Sequence, residues 1–250
     1  MEPLPVSYTH LSADASHFQN LNGSMGSLAE VVSLSGVTTT PYTMMAGLGV
    51  NGTAGVKSSA ATSDWPQILG GYGGPVAVDP SNSANWYVNN QAGVSIYRCA
   101  QSTACTAGAF GSSPVVSDAD VGGDGNTMPT PAPFLVDPLD PTQLLVATCR
   151  VWRGPANGSG WTANNAISPI LDSVAATGAC SGDALIRSIA ALVLPSGGER
   201  IYVGMYGSEN DGANLPGHVL TAIVNPASST APVWSDVTLG PVANGSNSMN

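Results

Sequence analysis

Apolar residues come along this chain in short runs, cut by turns rich in glycine, proline and asparagine. The clearest stretch reads apolar strand, Asp-Pro turn, apolar strand: Gly73-Gly74-Pro75-Val76-Ala77-Val78-Asp79-Pro80, then Ser81 to Ala84, then Asn85-Trp86-Tyr87-Val88-Asn89. It returns as Pro133-Phe134-Leu135-Val136-Asp137-Pro138 before Gln143-Leu144-Leu145-Val146-Ala147. It returns again as Ile189-Ala190-Ala191-Leu192-Val193-Leu194-Pro195 before Arg200-Ile201-Tyr202-Val203-Gly204. Pro80, Pro138 and Pro195 lie 58 and 57 residues apart. A period of this size marks an array of like units, none of which buries its apolar face alone.

Two further markers repeat in step. A third apolar run appears as Gly55-Val56-Lys57, Gly93 to Arg98, Arg150 to Arg153 and His218 to Val224. An aromatic residue with a short following run appears at Phe18, Trp65, Phe110, Trp161 and Trp234. Each unit therefore holds about four strands, as a propeller blade does. In the most complete copy they are Val76–Val78, Trp86–Val88, Val94–Tyr97 and Phe110–Val116. Leu28 to Ser35 alone hints at a helix, but Val31 to Leu34 reads better as the first strand of a unit; Tyr42 to Ala46 follows, and its methionines Met44 and Met45 read as core. Asn-Gly pairs at Asn22, Asn51, Asn157 and Asn244 supply the positive φ of tight turns; they also match the N-glycosylation pattern, which the turns explain without glycans. The polar stretch 207–214 reads as a long loop inside the last unit. The fold predicted is all-β: a partial β-propeller of about four four-stranded antiparallel blades in an open arc, over residues 16–240. Its two ends should be apart, with apolar side chains of the terminal blades facing solvent. The polar residues 241–250 form a tail.

Composition agrees with many short strands: 9% of residues are charged, with 30 glycines and 19 prolines. The net charge of −10 and the single lysine, Lys57, exclude nucleic acid as a partner, because phosphate binding needs clustered cations. No apolar run reaches the length of about 20 residues that spans a bilayer. Four cysteines allow three pairings. Cys99 with Cys105 and Cys149 with Cys180 are favoured because each pair flanks a local excursion; four buried free thiols are the other reading. Two bridges would place the protein in a secreted or extracytoplasmic setting. Pro5-Val6-Ser7-Tyr8-Thr9-His10-Leu11 reads as the translation of an adaptor oligonucleotide, so residues 1–15 are set aside as a non-native leader.

Two glycine-rich pieces, Ala46-Gly47-Leu48-Gly49-Val50-Asn51-Gly52-Thr53 and Gly70-Gly71-Tyr72-Gly73-Gly74, together with the repeat, resemble the sialidase-like BNR or Asp-box β-propellers. That group includes the sortilin-type ectodomain and xyloglucan-active glycosidases. Relatives often carry an acid where this chain has Val50 and Tyr72. The Asp-box Ser-x-Asp-x-Gly-x-Thr-Trp, aligned on Trp161, keeps only Gly158 and Trp161, and on Trp234 only the tryptophan. Such propellers usually have six or seven blades, so the resemblance implies an interior piece of a longer propeller, with the rest of the parent ring as a partner.

The chemistry is sparse. Asp118, Asp120 and Asp124 share one glycine-rich loop, an oxygen-rich setting that suits Ca²⁺; a solvated turn is the alternative, since calcium takes about 6–8 oxygens. A glycosidase needs two carboxylates roughly 5–10 Å apart across a cleft. Asp172, Asp183, Glu209 and Asp211 qualify by residue type only. Arg150 and Arg153, three apart on a strand, should face opposite sides. Asp79 and Asp137 read as turn formers, and Trp152 and Trp161 as core rather than sugar platforms. No Ser-His-Asp set is present, since His17 and His218 stand isolated. The favoured reading is a carbohydrate- or protein-binding propeller segment without a complete active site or resident cofactor. The alternative is a fragment of a sialidase-like or xyloglucanase-like glycoside hydrolase.

Overall fold

A computed structural model describes residues 10–11, 18–19, 30–37, 42–58, 65–101, 105–171, 180, 185–205, 217–225 and 231–237. It is an all-β partial propeller, and the described residues contain no α-helix, only three short 3₁₀ turns. A two-stranded ribbon pairs β1 (His10–Leu11) with β2 (Phe18–Gln19). The first four-stranded sheet runs β3 (Ser33–Val37), β4 (Tyr42–Gly47), β5 (Thr53–Ser58), β6 (Gln67–Leu69). The second runs β7 (Val76–Val78), β8 (Asn85–Asn89), β9 (Ser95–Ala100), β10 (Val116–Ser117). The third has three strands, β11 (Phe134–Val136), β12 (Gln143–Ala147) and β13 (Val151–Pro155). The fourth runs β14 (Ile186–Val193), β15 (Glu199–Met205), β16 (His218–Val224), β17 (Ser235–Asp236).

Every pairing between these strands is antiparallel and joins sequence neighbours, as turn-linked strands allow. The first strands of the sheets are mutual neighbours: β3 packs on β7, β7 on β11 and β11 on β14. That places one inner strand per sheet around a common centre. The core lies between sheets. Met45, Ile68, Val76, Trp86 and Phe110 fill the first interface. Ala77, Tyr87, Phe134, Leu144 and Trp152 fill the second, and Leu145, Val151, Ile201, Val203 and Val224 the third.

Both outer faces of the arc expose apolar side chains. On the first sheet Leu34 is 61% exposed, and Tyr42 shares its face. On the fourth sheet Leu192, Tyr202 and Ile223 share a face and are exposed, Leu192 by 60%.

The fourth strands depart from expectation. Phe110–Val116 is predicted as one strand, but only Val116–Ser117 pairs, after the 3₁₀ turn Ala107–Ala109. Pro114, with no N–H, and the Gly111-Ser112-Ser113 run break the ladder. At Trp161-Thr162 no strand forms either. Thr162 and Asn165 close a capping box around a 3₁₀ turn, leaving the isolated bridge Trp152–Ala166. Trp161 is nevertheless core, 8% exposed, with its indole N–H on the Pro155 carbonyl at 3.0 Å. Gly154 makes that possible, because a Cβ there would collide with the indole ring. Phe18 pairs with Leu11 rather than standing as a stray last strand. The 207–214 loop and the tail lie outside the described residues.

Candidate functional site

One face of the arc carries the β7–β8 and β11–β12 turns, and both are built by an aspartate. Asp79 Oδ1 accepts from the Ser81 N–H (2.8 Å), the Ser81 hydroxyl (2.7 Å) and the Asn82 N–H (3.0 Å). Asp137 Oδ1 accepts from the N–H groups of Leu139 (2.7 Å) and Asp140 (3.1 Å). A carboxylate that gathers the N–H groups two and three residues on is how aspartate forms a turn. Between these turns, bordered by the end of β13, lies a groove of about 420 Å³. Asn85, Tyr87 and Arg98 line it from the second sheet, and Thr142, Gln143 and Asn157 from the third.

The groove holds a polar network. Asp79 Oδ2 accepts from Asn85 Nδ2 at 2.9 Å, and Asn85 Oδ1 accepts from Arg98 at 2.8 Å. The Arg98 guanidinium lies 5.9 Å from the Tyr87 ring centroid, a cation–π distance. Burial, partly offset by Arg98, pushes the Tyr87 phenol above its ordinary range, so it stays neutral. The Thr142 hydroxyl, bonded to Asp140 at 2.6 Å, holds that exposed-side carboxyl below the usual range.

Arg153 occupies in the third sheet the place Arg98 has in the second: Arg98 faces Tyr87 across the β8–β9 pair, and Arg153 faces Leu145 across β12–β13. Their partners differ. Arg153 forms an ion pair with Asp137 and lies 3.5 Å from Glu199. Asp137 and Glu199 are both fully buried. Burial, and then repulsion from Asp137, push the Glu199 carboxyl up to about 7 against the pull of Arg153. Two acids and one base, sealed between the third and fourth sheets, cannot flank a substrate.

The opposite face carries the Asp118–Asp124 loop, and there the structure separates the three carboxylates. Asp118 Oδ1 accepts from the Val94 N–H at 2.7 Å. Asp120 Oδ2 accepts from the Ser117 N–H and hydroxyl at 2.8 and 2.7 Å. Asp124 points inward and takes Arg150 in a two-pronged pair, 2.7 and 3.2 Å, with the Thr148 hydroxyl and the Trp152 indole N–H. Among the described residues, Asp118 and Asp120 join no convergent group of metal-ligating atoms. Asp124 does approach Cys149 and Cys180, but those sulfurs are bonded to each other. In the structure the loop turns at Gly123 and anchors Arg150 through Asp124.

The remaining expected residues divide clearly. Cys99–Cys105 and Cys149–Cys180 are bonded, and no described cysteine is free. Arg150 and Arg153 point to different partners, Asp124 and Asp137. Val50 and Tyr72 are on the surface, 84% and 41% exposed. The glycines beside them are structural: a Cβ on Gly73 would strike the Gly52 carbonyl, and one on Gly47 the Gly74 carbonyl. His218 lies 2.7 Å from Asp236. Asp172, Asp183, Glu209 and Asp211 lie outside the described residues, and no helix among the described residues is long and apolar enough to cross a membrane. The groove itself escaped the sequence reading. The signal was there in the paired Asp-Pro turns, one period apart, each followed by a polar side chain at the start of the next strand.

No protein-family profile matches the chain. No curated protein matches it either. Among solved structures, it is similar to the GH74 enzyme of Niastella koreensis, with 14% identity and a TM-score of 0.49. The likeness covers 92% of this chain and 34% of that one, so the chain spans about a third of that enzyme's length.

Proposed function

We propose that the chain is a ligand-binding segment of an extracytoplasmic β-propeller and that its ligand is carbohydrate. The groove between the second and third sheets carries this reading. Its volume of about 420 Å³ falls in the range of roughly 300–1,000 Å³ typical of small-molecule sites. Its lining is mainly amide and hydroxyl, with proline rings between. Such a surface matches a ligand made of hydroxyls alternating with apolar ring faces. Its carboxylate, Asp79, has both oxygens engaged, so the groove is built to hold rather than to cut. Hydrolysis by the usual route needs two accessible carboxylates. Two disulfides fit an oxidising compartment.

The test is calorimetric titration of the full chain against a panel of plant and bacterial oligosaccharides, with chromatography of each mixture afterwards. Saturable binding with uncleaved ligand is expected. Cleavage would move the chain to the glycoside-hydrolase alternative. Saturable binding of a peptide library with no response to any saccharide would overturn the reading in favour of a protein ligand.

A further inference from the structure

We infer that this groove selects saccharides bearing a carboxylate, a uronic acid unit, which it takes on Arg98 between two amide donors. The inference rests on the carbohydrate reading above and goes on to the ligand's charge.

The argument begins with what the turns consume. Asn82 Oδ1 accepts from the Ala84 N–H at 3.2 Å, and Asn157 Oδ1 from the Ser159 N–H and hydroxyl at 3.0 and 2.9 Å. Asn85 Oδ1 is taken by Arg98, and both Asp79 oxygens are taken as well. The Thr142 hydroxyl proton goes to Asp140. Apart from the Gln143 amide oxygen, the side-chain acceptors of the lining are therefore largely spent on local structure. Amide donors are left over on facing walls: Nδ2 of Asn82 from the second sheet, and Nδ2 of Asn157 with Nε2 of Gln143 from the third. A surface of spare donors calls for a ligand rich in acceptors.

The repeat supplies an internal comparison for the charge. At the equivalent place Arg153 is neutralised by the turn carboxylate Asp137. In the second sheet the turn carboxylate, Asp79, is instead satisfied by Ser81, Asn82 and the Asn85 amide, and Arg98 is given the neutral Asn85 oxygen. No carboxylate among the described residues lies within ion-pair distance of Arg98. Arg98 is thus the guanidinium whose repeat position expects an anion and whose fold does not provide one. A planar guanidinium is suited to a planar carboxylate. Sugar hydroxyls on either side would accept from Asn82 and Asn157.

The experiment compares an oligogalacturonate with its carboxyl-reduced, neutral form by calorimetry on the full chain, with Asn82→Asp and Asn157→Asp variants. Each substitution keeps the oxygen that holds the turn and replaces the spare donor with a negative charge. Thermal melts confirm that the variants fold. The acid form is expected to bind about tenfold more tightly than the reduced form, the usual scale of one charge-assisted hydrogen bond. That preference should weaken at high salt, and each variant should lose about tenfold for the acid form. Equal affinity for the two forms, unchanged in the folded double variant, overturns the inference and leaves the carbohydrate reading standing. Binding of neither oligogalacturonate form, while another neutral oligosaccharide binds, also overturns it. Silence toward every saccharide overturns both.

Discussion

Ser35 on β3 accepts a hydrogen bond from the backbone N–H of Val78 on β7, at 3.0 Å, across the interface between the first and second sheets. Ser33 does the same for Val76 at 3.1 Å. Inner strand β7 pairs with β8 on one side only, so its other edge presents N–H groups that no strand covers. The two hydroxyls, spaced by two residues as β3 is, meet the two N–H groups spaced by two on β7. Replacing either serine with alanine leaves a part-buried donor unpaired, at a cost of about 1–2 kcal/mol each. Urea unfolding of Ser33→Ala, Ser35→Ala and the double variant measures this. An unchanged midpoint in the double variant would show that water replaces the hydroxyls freely.

Stability should depend on pH through Glu199. Its folded-state pKa of about 7 lies above the ordinary 4.5. The native state therefore binds the proton more tightly than the unfolded chain does. The contribution is fully present below about pH 4.5 and is lost as pH rises through 7. The groups facing it are Asp137, which opposes its charge, and Arg153, which favours it. The loss is at most about 3.5 kcal/mol, from about 1.4 kcal/mol per pKa unit. Melting curves between pH 4.5 and 8 should fall with rising pH, and Glu199→Gln should flatten that slope. A wild-type slope retained in the variant assigns the effect elsewhere.

The disulfides should contribute unequally. Cys149–Cys180 closes a separation of 31 residues and Cys99–Cys105 one of 6. The chain-entropy account gives about 3.5 kcal/mol for the first and about 2 for the second. Paired Cys→Ser variants, unfolded in urea, should preserve that order.

Asp124 answers three side chains at once, so its loss should outweigh the loss of any one partner. Asp124→Ala strands the Arg150 charge, the Thr148 hydroxyl and the Trp152 indole, and should cost about 3 kcal/mol or more. Arg150→Met, which leaves the buried carboxylate its hydrogen bonds from Thr148 and Trp152, should cost less. Because Asp118, Asp120 and Asp124 are spent on separate partners, adding calcium or EDTA should leave the melting temperature where it is. A calcium-dependent rise would restore the loop as a cation site.

The outer faces of the first and fourth sheets should govern association. Leu192 and Ile223 lie on one face of the fourth sheet, flanking Arg200 of β15, and are exposed by 60% and 51%. Apolar patches of this kind drive self-association in isolated chains. Light scattering should report oligomers for the wild type and a smaller species for Leu192→Lys with Ile223→Lys. A wild type that runs as a sharp monomer speaks against it.

The sequence by itself determined the array. The Asp-Pro turns at Asp79 and Asp137, the strands that flank them and the unit boundaries are local facts, set by alternation, turn chemistry and a period near 58 residues. Local proximity also sufficed for both cysteine pairs. Tertiary structure decided the rest, because it depends on which backbone groups meet across sheets. Trp161 marks a fourth strand by sequence, yet the room made by Gly154 turns it into the core without a ladder. Asp118, Asp120 and Asp124 look like one ligand set along the chain, and separate because Val94, Ser117 and Arg150 each reach one of them first. Arg98 and Arg153 are equivalent by register, but only the fold gives Arg153 its buried anions and leaves Arg98 facing a groove, since the donors around Asp79 satisfy it before Arg98 can.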